Sequence, residues 1–138
     1  MNEPAKDIVR HFIEKSRDAL ASARREQPLS AVASINRSYY AAFYAVSAVL
    51  AAQGQTFTRH SAVRSALHRD LINAGRLADE IGTAYDELFD ARGDSDYNSM
   101  IQVGPPDAAV ALELSERVVA ALLALIDIQE EHRGQEQS

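Results

Sequence analysis

The sequence predicts an all-α domain, an antiparallel bundle of four to five helices. Three observations carry this expectation. The 138 residues include 24 alanines against only six glycines and four prolines, and alanine is the best helix former while glycine and proline are the worst. Apolar residues recur at the spacing that gathers them on one face of a helix. No segment alternates apolar and polar residues as a half-buried strand does. One domain over 1–138 with a single core suits this length, and 46% hydrophobic with 25% charged residues is an ordinary globular balance.

The first periodic segment spans 5–25, with Ile8, Phe12, Ala19 and Ala23 at helical spacing, and Gln27-Pro28 closes it. Ser30 is a suitable N-cap for the second helix, 30–53, whose stripe is Ile35, Tyr39, Ala42, Phe43, Val46, Val49 and Leu50. Gly54 follows as its C′ residue, and the alanines at 41, 42, 45 and 48 allow close approach of a neighbour. Thr58 is expected to cap a third helix that stops at Asn73-Ala74-Gly75. A fourth, from about Leu77 to Ala91, turns Ile81, Tyr85, Leu88 and Phe89 inward. Residues 93–106, punctuated by Gly93, Gly104, Pro105 and Pro106, read as an irregular connection. Asp107 is expected to cap a last helix through Leu112, Val119, Leu122, Leu123 and Ile126, frayed after about Glu131, with a disordered tail over 134–138.

Composition narrows the functional classes. The absence of cysteine excludes disulfides and thiol chemistry. No apolar run approaches the roughly 20 residues of a membrane span, and the N-terminus has no hydrophobic signal core, so a cytoplasmic protein is expected. The net charge of −6 is split unevenly: residues 1–76 sum to +5 and residues 77–138 to −11. Such a split suggests a polarised surface or two like protomers meeting in complementary charge.

The chemistry-bearing residues are few. No glycine cluster resembles a phosphate loop, and no serine sits in a nucleophile elbow, so no cofactor is expected. The histidines form no recognisable ligand set, so no metal is expected, and His60 and His68 are expected in surface or capping roles. Asp86/Glu87 and Asp79/Glu80 read as ordinary surface charge. Arg37 is harder to set aside, since it lies beside an apolar stripe and shares a face with Tyr40 and Tyr44. Arg92 is the only lysine or arginine between Leu77 and Arg117. It is expected at a helix end, where it either neutralises Asp94 or Asp96 or receives a phosphate. Arg37, Arg59, Arg64 and Arg92 are the candidate phosphate- or nucleic-acid-binding residues.

Together these segments resemble the HEPN superfamily, the small helical domains of higher eukaryotic and prokaryotic nucleotide-binding proteins. The matching residues are Asn36-Arg37-Ser38-Tyr39-Tyr40-Ala41-Ala42-Phe43-Tyr44-Ala45, then Gly54. They continue with Thr58-Arg59-His60-Ser61-Ala62-Val63, Ile72-Asn73-Ala74-Gly75, and Leu88-Phe89-Asp90-Ala91-Arg92 through Asp96-Tyr97. The resemblance implies a bundle that forms a homodimer, often paired with a minimal nucleotidyltransferase as a toxin–antitoxin system. Catalytic members resemble metal-independent ribonucleases whose signature is an arginine followed, after four to six residues, by a histidine. Arg92 matches that arginine, but after four intervening residues stands Tyr97. A tyrosine near pKa 10 is a poor proton-transfer group beside histidine, so the resemblance favours a protein working through a partner. The alternatives are a ribonuclease toxin in which Arg92 binds the scissile phosphate with Tyr97 or Asp96 assisting, and a nucleotide- or RNA-binding module. The resemblance also makes Tyr97 a candidate acceptor for nucleotidylation by the partner.

Overall fold

A computed structural model describes residues 3–97 and 102–137, with side chains described over 3–95 and 102–126. The described residues form five helices and no strand: α1 (Glu3–Glu26), α2 (Ala31–Ala52), α3 (His60–Ala66), α4 (Asp79–Tyr97) and α5 (Pro105–Gln137). A π-helical segment, Leu67–Ile72, continues α3. The all-α bundle expected from the sequence is what forms.

α2 is the axis of the molecule. Its apolar residues recur on every side, and α1, α3, α4 and α5 all pack against it. The whole expected stripe, from Ile35 to Leu50, is buried, and Ala41, Ala42, Ala45 and Ala48 are fully buried as well. Their small side chains bring neighbours close enough for serines to bond across. The Ser16 hydroxyl donates to the Ala41 carbonyl at 2.7 Å, Ser34 to Ala23 at 2.8 Å, and Ser115 to Ser38 at 2.7 Å. Each of these carbonyls already sits in a helix, and its second lone pair is used to join two helices.

The helix ends follow local chemistry. Ser30 caps α2, its side chain accepting from the Ala33 amide at 3.1 Å. At the other end Gly54 takes φ +83°, and the Gln55 amide reaches back to the Leu50 carbonyl at 2.9 Å. That pattern is the Schellman motif, whose left-handed residue favours glycine. Gly75, at φ +76°, ends the π-helical segment in the same way. Pro105 occupies the first position of α5, where a missing N–H is harmless. Asp107 is not the N-cap expected from the sequence but the third residue of α5, and it accepts from the Gly104 amide at 2.8 Å, reaching back as the second half of a capping box.

Several local expectations are corrected. Ile8 is 42% exposed, and Val9 faces the core instead. Ala19 and Ala23 are buried as expected, but the stripe reaches them through Ser16, a polar residue satisfied by α2, and begins at Val9, so the apolar pattern misplaced only its start. Thr58 is not a cap: Arg59 holds the N-cap position of α3 and makes no side-chain cap bond. The fourth helix does not end at Ala91 but continues through Gly93 to Tyr97. A single glycine costs a helix only about 1 kcal/mol relative to alanine, and no stronger breaker stands there. The backbone of α5 is helical through Gln137, including residues 134–137, for which disorder is expected from composition.

Candidate functional site

α2 presents Tyr39, Tyr40 and Phe43 toward α3 and α4, while Tyr44 turns to Phe12 and Lys15 of α1. Tyr39 is fully buried at the centre of a ring cluster. Its centroid lies 5.3–6.1 Å from those of Tyr40, Phe43, His60, Tyr85 and Phe89. His60, the first residue of α3, leans into this cluster with its ring 4.4 Å from Phe43 and 5.5 Å from Tyr40. The Tyr39 hydroxyl lies 3.0 Å from His60 Nδ1. Burial raises the pKa of that phenol, against the opposing influence of Tyr85 and Arg92. Tyr39 therefore stays protonated, and its hydroxyl donates to Nδ1 in the tautomer of neutral His60 that carries its hydrogen on Nε2. Burial, and then the nearby Arg92 charge, lower the pKa of His60 below its ordinary value.

Two guanidiniums meet at one ring. Arg37 lies over Tyr40 with its central carbon 5.1 Å from the ring centroid, and Arg92 lies 5.8 Å from the same centroid. Arg92 also stands 5.5 Å from the centroid of Tyr39. Arg37 is steadied by Asn36, whose side-chain oxygen accepts from it at 3.2 Å. The flat fork of arginine stacks on aromatic faces and keeps several N–H donors at its edge, although the Nε of Arg92 is itself buried. Arg37 and Arg92, 55 positions apart in the chain, are thus assembled into one surface with Tyr40 and His60.

A second cluster adjoins it. Asp86 Oδ1 accepts from Arg64 Nε at 2.9 Å and lies 3.0 Å from His68 Nε2. The guanidinium of Arg64 also covers Phe89, 4.6 Å from its centroid. His68 belongs to the π-helical segment, so this carboxylate ties both parts of the third helix to α4. Gly82 leaves room for the imidazole: a Cβ there would lie 2.8 Å from His68 Cε1.

Of the residues singled out from sequence, Arg37 and Arg92 come together. Arg64 is committed to Asp86 and Phe89, and Arg59 is exposed at the start of α3. Arg92 lies within α4 and not at its end. Asp96 and Tyr97 form the last helical residues of α4 rather than a loop, and their side chains lie outside the described residues. Neither His60 nor His68 is a bland surface group, and Asp86 is more than surface charge. No local spacing could reveal this, because their partners lie 21 and 18 positions away.

Other surfaces offer less. A cavity of about 300 Å³ between α2, α4 and α5 is lined by Ile35, Leu88, Val103 and Val110, with Glu87, Asp94 and Asp107 as its charged groups among the described residues. It presents nothing that favours an anion. Among the described residues no group of three or more His, Asp or Glu side chains is placed to hold a metal. No helix of the described residues is long and apolar enough to cross a membrane.

A helical bundle built around a buried aromatic-bearing helix, with arginine and histidine gathered at its face, has clear relatives. The HEPN domain family model matches residues 9–126, and the chain belongs to the HEPN family. It is 33% identical over 131 residues to a UPF0332 protein from Thermotoga maritima, covering 92% of this chain and 96% of that one. The crystal structure of TT1696 from Thermus thermophilus has the same fold at a TM-score of 0.70, with 20% identity, covering 85% of this chain and 97% of that one.

Proposed function

We propose that this HEPN protein acts through a partner, as a component of a toxin–antitoxin or defence-type system with a nucleotidyltransferase, and that its working surface binds the phosphates of RNA. The observation that carries the second part is the meeting of Arg37 and Arg92 at the Tyr40 ring. Two stacked guanidiniums offer forked donors to phosphate oxygens, and the half-buried tyrosine between them suits a stacked base. Membership of the HEPN family supports the first part and a homodimer, whose association complementary charge between the basic and acidic parts of the chain would favour. Tyr97 remains the candidate acceptor for nucleotidylation, a modification that would set a phosphate on the helix that carries Arg92.

The test is expression of the protein alone and together with a nucleotidyltransferase encoded beside it, scoring growth, RNA integrity and covalent modification of Tyr97. Intact RNA, complex formation and loss of the adduct in Tyr97→Phe support the reading. Binding of an unstructured RNA should weaken about tenfold or more in Arg37→Ala and in Arg92→Ala, the equivalent of roughly 1.4 kcal/mol. Unchanged binding in both variants rejects the surface.

A second reading, a metal-independent ribonuclease toxin, gains from one observation. His60 stands beside Arg92 across the Tyr39 and Tyr40 rings, so an Arg–His pair exists in space although the linear motif ends on Tyr97. RNA degradation on expression alone, abolished by Arg92→Ala, would favour this reading over the first.

A further inference from the structure

We propose that the Arg37–Arg92 surface binds an RNA phosphodiester together with one proton from solvent, taken up by His60 and made possible by a reversible hydrogen-bond chain from His60 through Tyr39 to Tyr85. The inference rests on the phosphate-binding reading above and adds to it the chemistry of the third ligand group.

The groups facing His60 are Tyr39, Tyr40 and Phe43 from α2 and Arg92 from α4, with Arg59 and Arg64 on its own helix. Among the described residues none of these is a carboxylate. His68, the other histidine near this face, has Asp86 for a partner, and no described carboxylate pairs with His60. An unoccupied site therefore holds His60 neutral, since burial and Arg92 both oppose a second positive charge. An anion resting on Arg92 reverses that balance. With Nδ1 turned to Tyr39, Nε2 is the ring nitrogen left to donate to the ligand.

Protonation raises a geometrical question that the structure answers. Neutral His60 accepts the Tyr39 hydrogen at Nδ1; imidazolium carries a hydrogen there and must donate it instead. Tyr39 can accept only if its own hydrogen turns to another acceptor within the cluster. Tyr85 supplies one. Its hydroxyl is buried, with ring centroids 6.0 Å apart, and it bears on the Tyr39 phenol through a loose side-chain hydrogen bond. In the charged state the chain runs His60 Nδ1–H to the Tyr39 oxygen and Tyr39 O–H to the Tyr85 oxygen, and only hydrogens move. Tyr39 and Tyr85 are positioning residues in this scheme, and neither touches the ligand.

The test uses the full-length protein and hexaadenylate lacking terminal phosphates, whose phosphodiesters do not titrate between pH 5.5 and 8. Calorimetry in buffers of different ionisation enthalpy counts the protons taken up, and affinity is followed across the same pH range. Expected are net proton uptake and an affinity that strengthens on acidification, approaching about tenfold per pH unit between the free and bound titrations of His60. His60→Gln should bind without proton uptake. Tyr85→Phe, which keeps the ring and the packing, should retain wild-type affinity at pH 8 and lose the gain at lower pH. Its free His60, followed by NMR, should titrate lower than in the wild type. Binding without proton uptake, or uptake that persists in His60→Gln, overturns the proposal and leaves the phosphate-binding reading standing. A full acid gain in Tyr85→Phe overturns the chain. No binding by the wild type at any pH overturns both.

Discussion

Gly82 and His68 fit together as a recess and the ring that fills it. The glycine lies in the first half of α4, and any Cβ there would stand 2.8 Å from His68 Cε1 and 3.3 Å from Nδ1. The glycine is thus required by the imidazole opposite and not by its own backbone, which is helical. Gly82→Ala would gain helix propensity but collide with His68. Net destabilisation of about 1–3 kcal/mol is expected from overpacking. Thermal unfolding checks it, and Gly82→Ala combined with His68→Ala should recover most of the loss.

Asp86 anchors two cationic or hydrogen-bonding partners through a single oxygen. All three side chains are about one-third exposed, so solvent screens the pairing. Asp86→Ala is expected to cost about 1 kcal/mol, measured by urea unfolding, and to loosen α3 and its π-helical continuation from α4. Asp86→Asn should recover part of this loss, because its amide oxygen can still accept from Arg64.

The serine clasps of α2 respond differently to the two directions of change. Ser115→Ala removes one buried donor and should cost about 1 kcal/mol. Ser115→Leu must push α5 away from α2 at a point where a 2.7 Å bond now holds them, and a cost of about 3 kcal/mol or more is expected. Denaturant midpoints with unchanged slope distinguish these from loss of cooperative folding.

His60 makes the free protein sensitive to acid. Its pKa is lower folded than unfolded, so its contribution to stability is complete above the unfolded value, near 6.5. That contribution fades as pH falls through the lower folded value. His60→Gln should therefore show a smaller drop in melting temperature between pH 7 and pH 5 than the wild type. An identical drop in both would assign the acid sensitivity to other groups.

Much of the fold is written locally. The stripe of α2, the Ser30 cap and the stops at Gly54 and Gly75 depend on residues a few positions apart, and each forms where its spacing places it. Gly93 misled because a glycine's cost is small and α4 continues past it. Ile8 misled because the true stripe of α1 passes through a serine whose partner is on another helix. The site was legible by halves. Arg37 and Arg92 stood out as cations in apolar or acidic surroundings. That both reach Tyr40 depends on how α2 and α4 cross, which no local pattern encodes. The same holds for Tyr39 with His60 and for His68 with Asp86.

The complete burial of the second half of α2, residues 45–52, also sets a timescale. Its amides have almost no route to solvent short of global unfolding, so they should be among the last to exchange hydrogen for deuterium. Tyr39, Tyr40 and Arg37 ride on that slow element. His60 begins a helix of seven residues with no side-chain cap, where local opening costs far less. The two jaws of the proposed RNA surface therefore need not run on one clock: α2 offers a fixed template, and on the other side only the uncapped first turn of α3, ahead of the core residue Val63, is placed to fray.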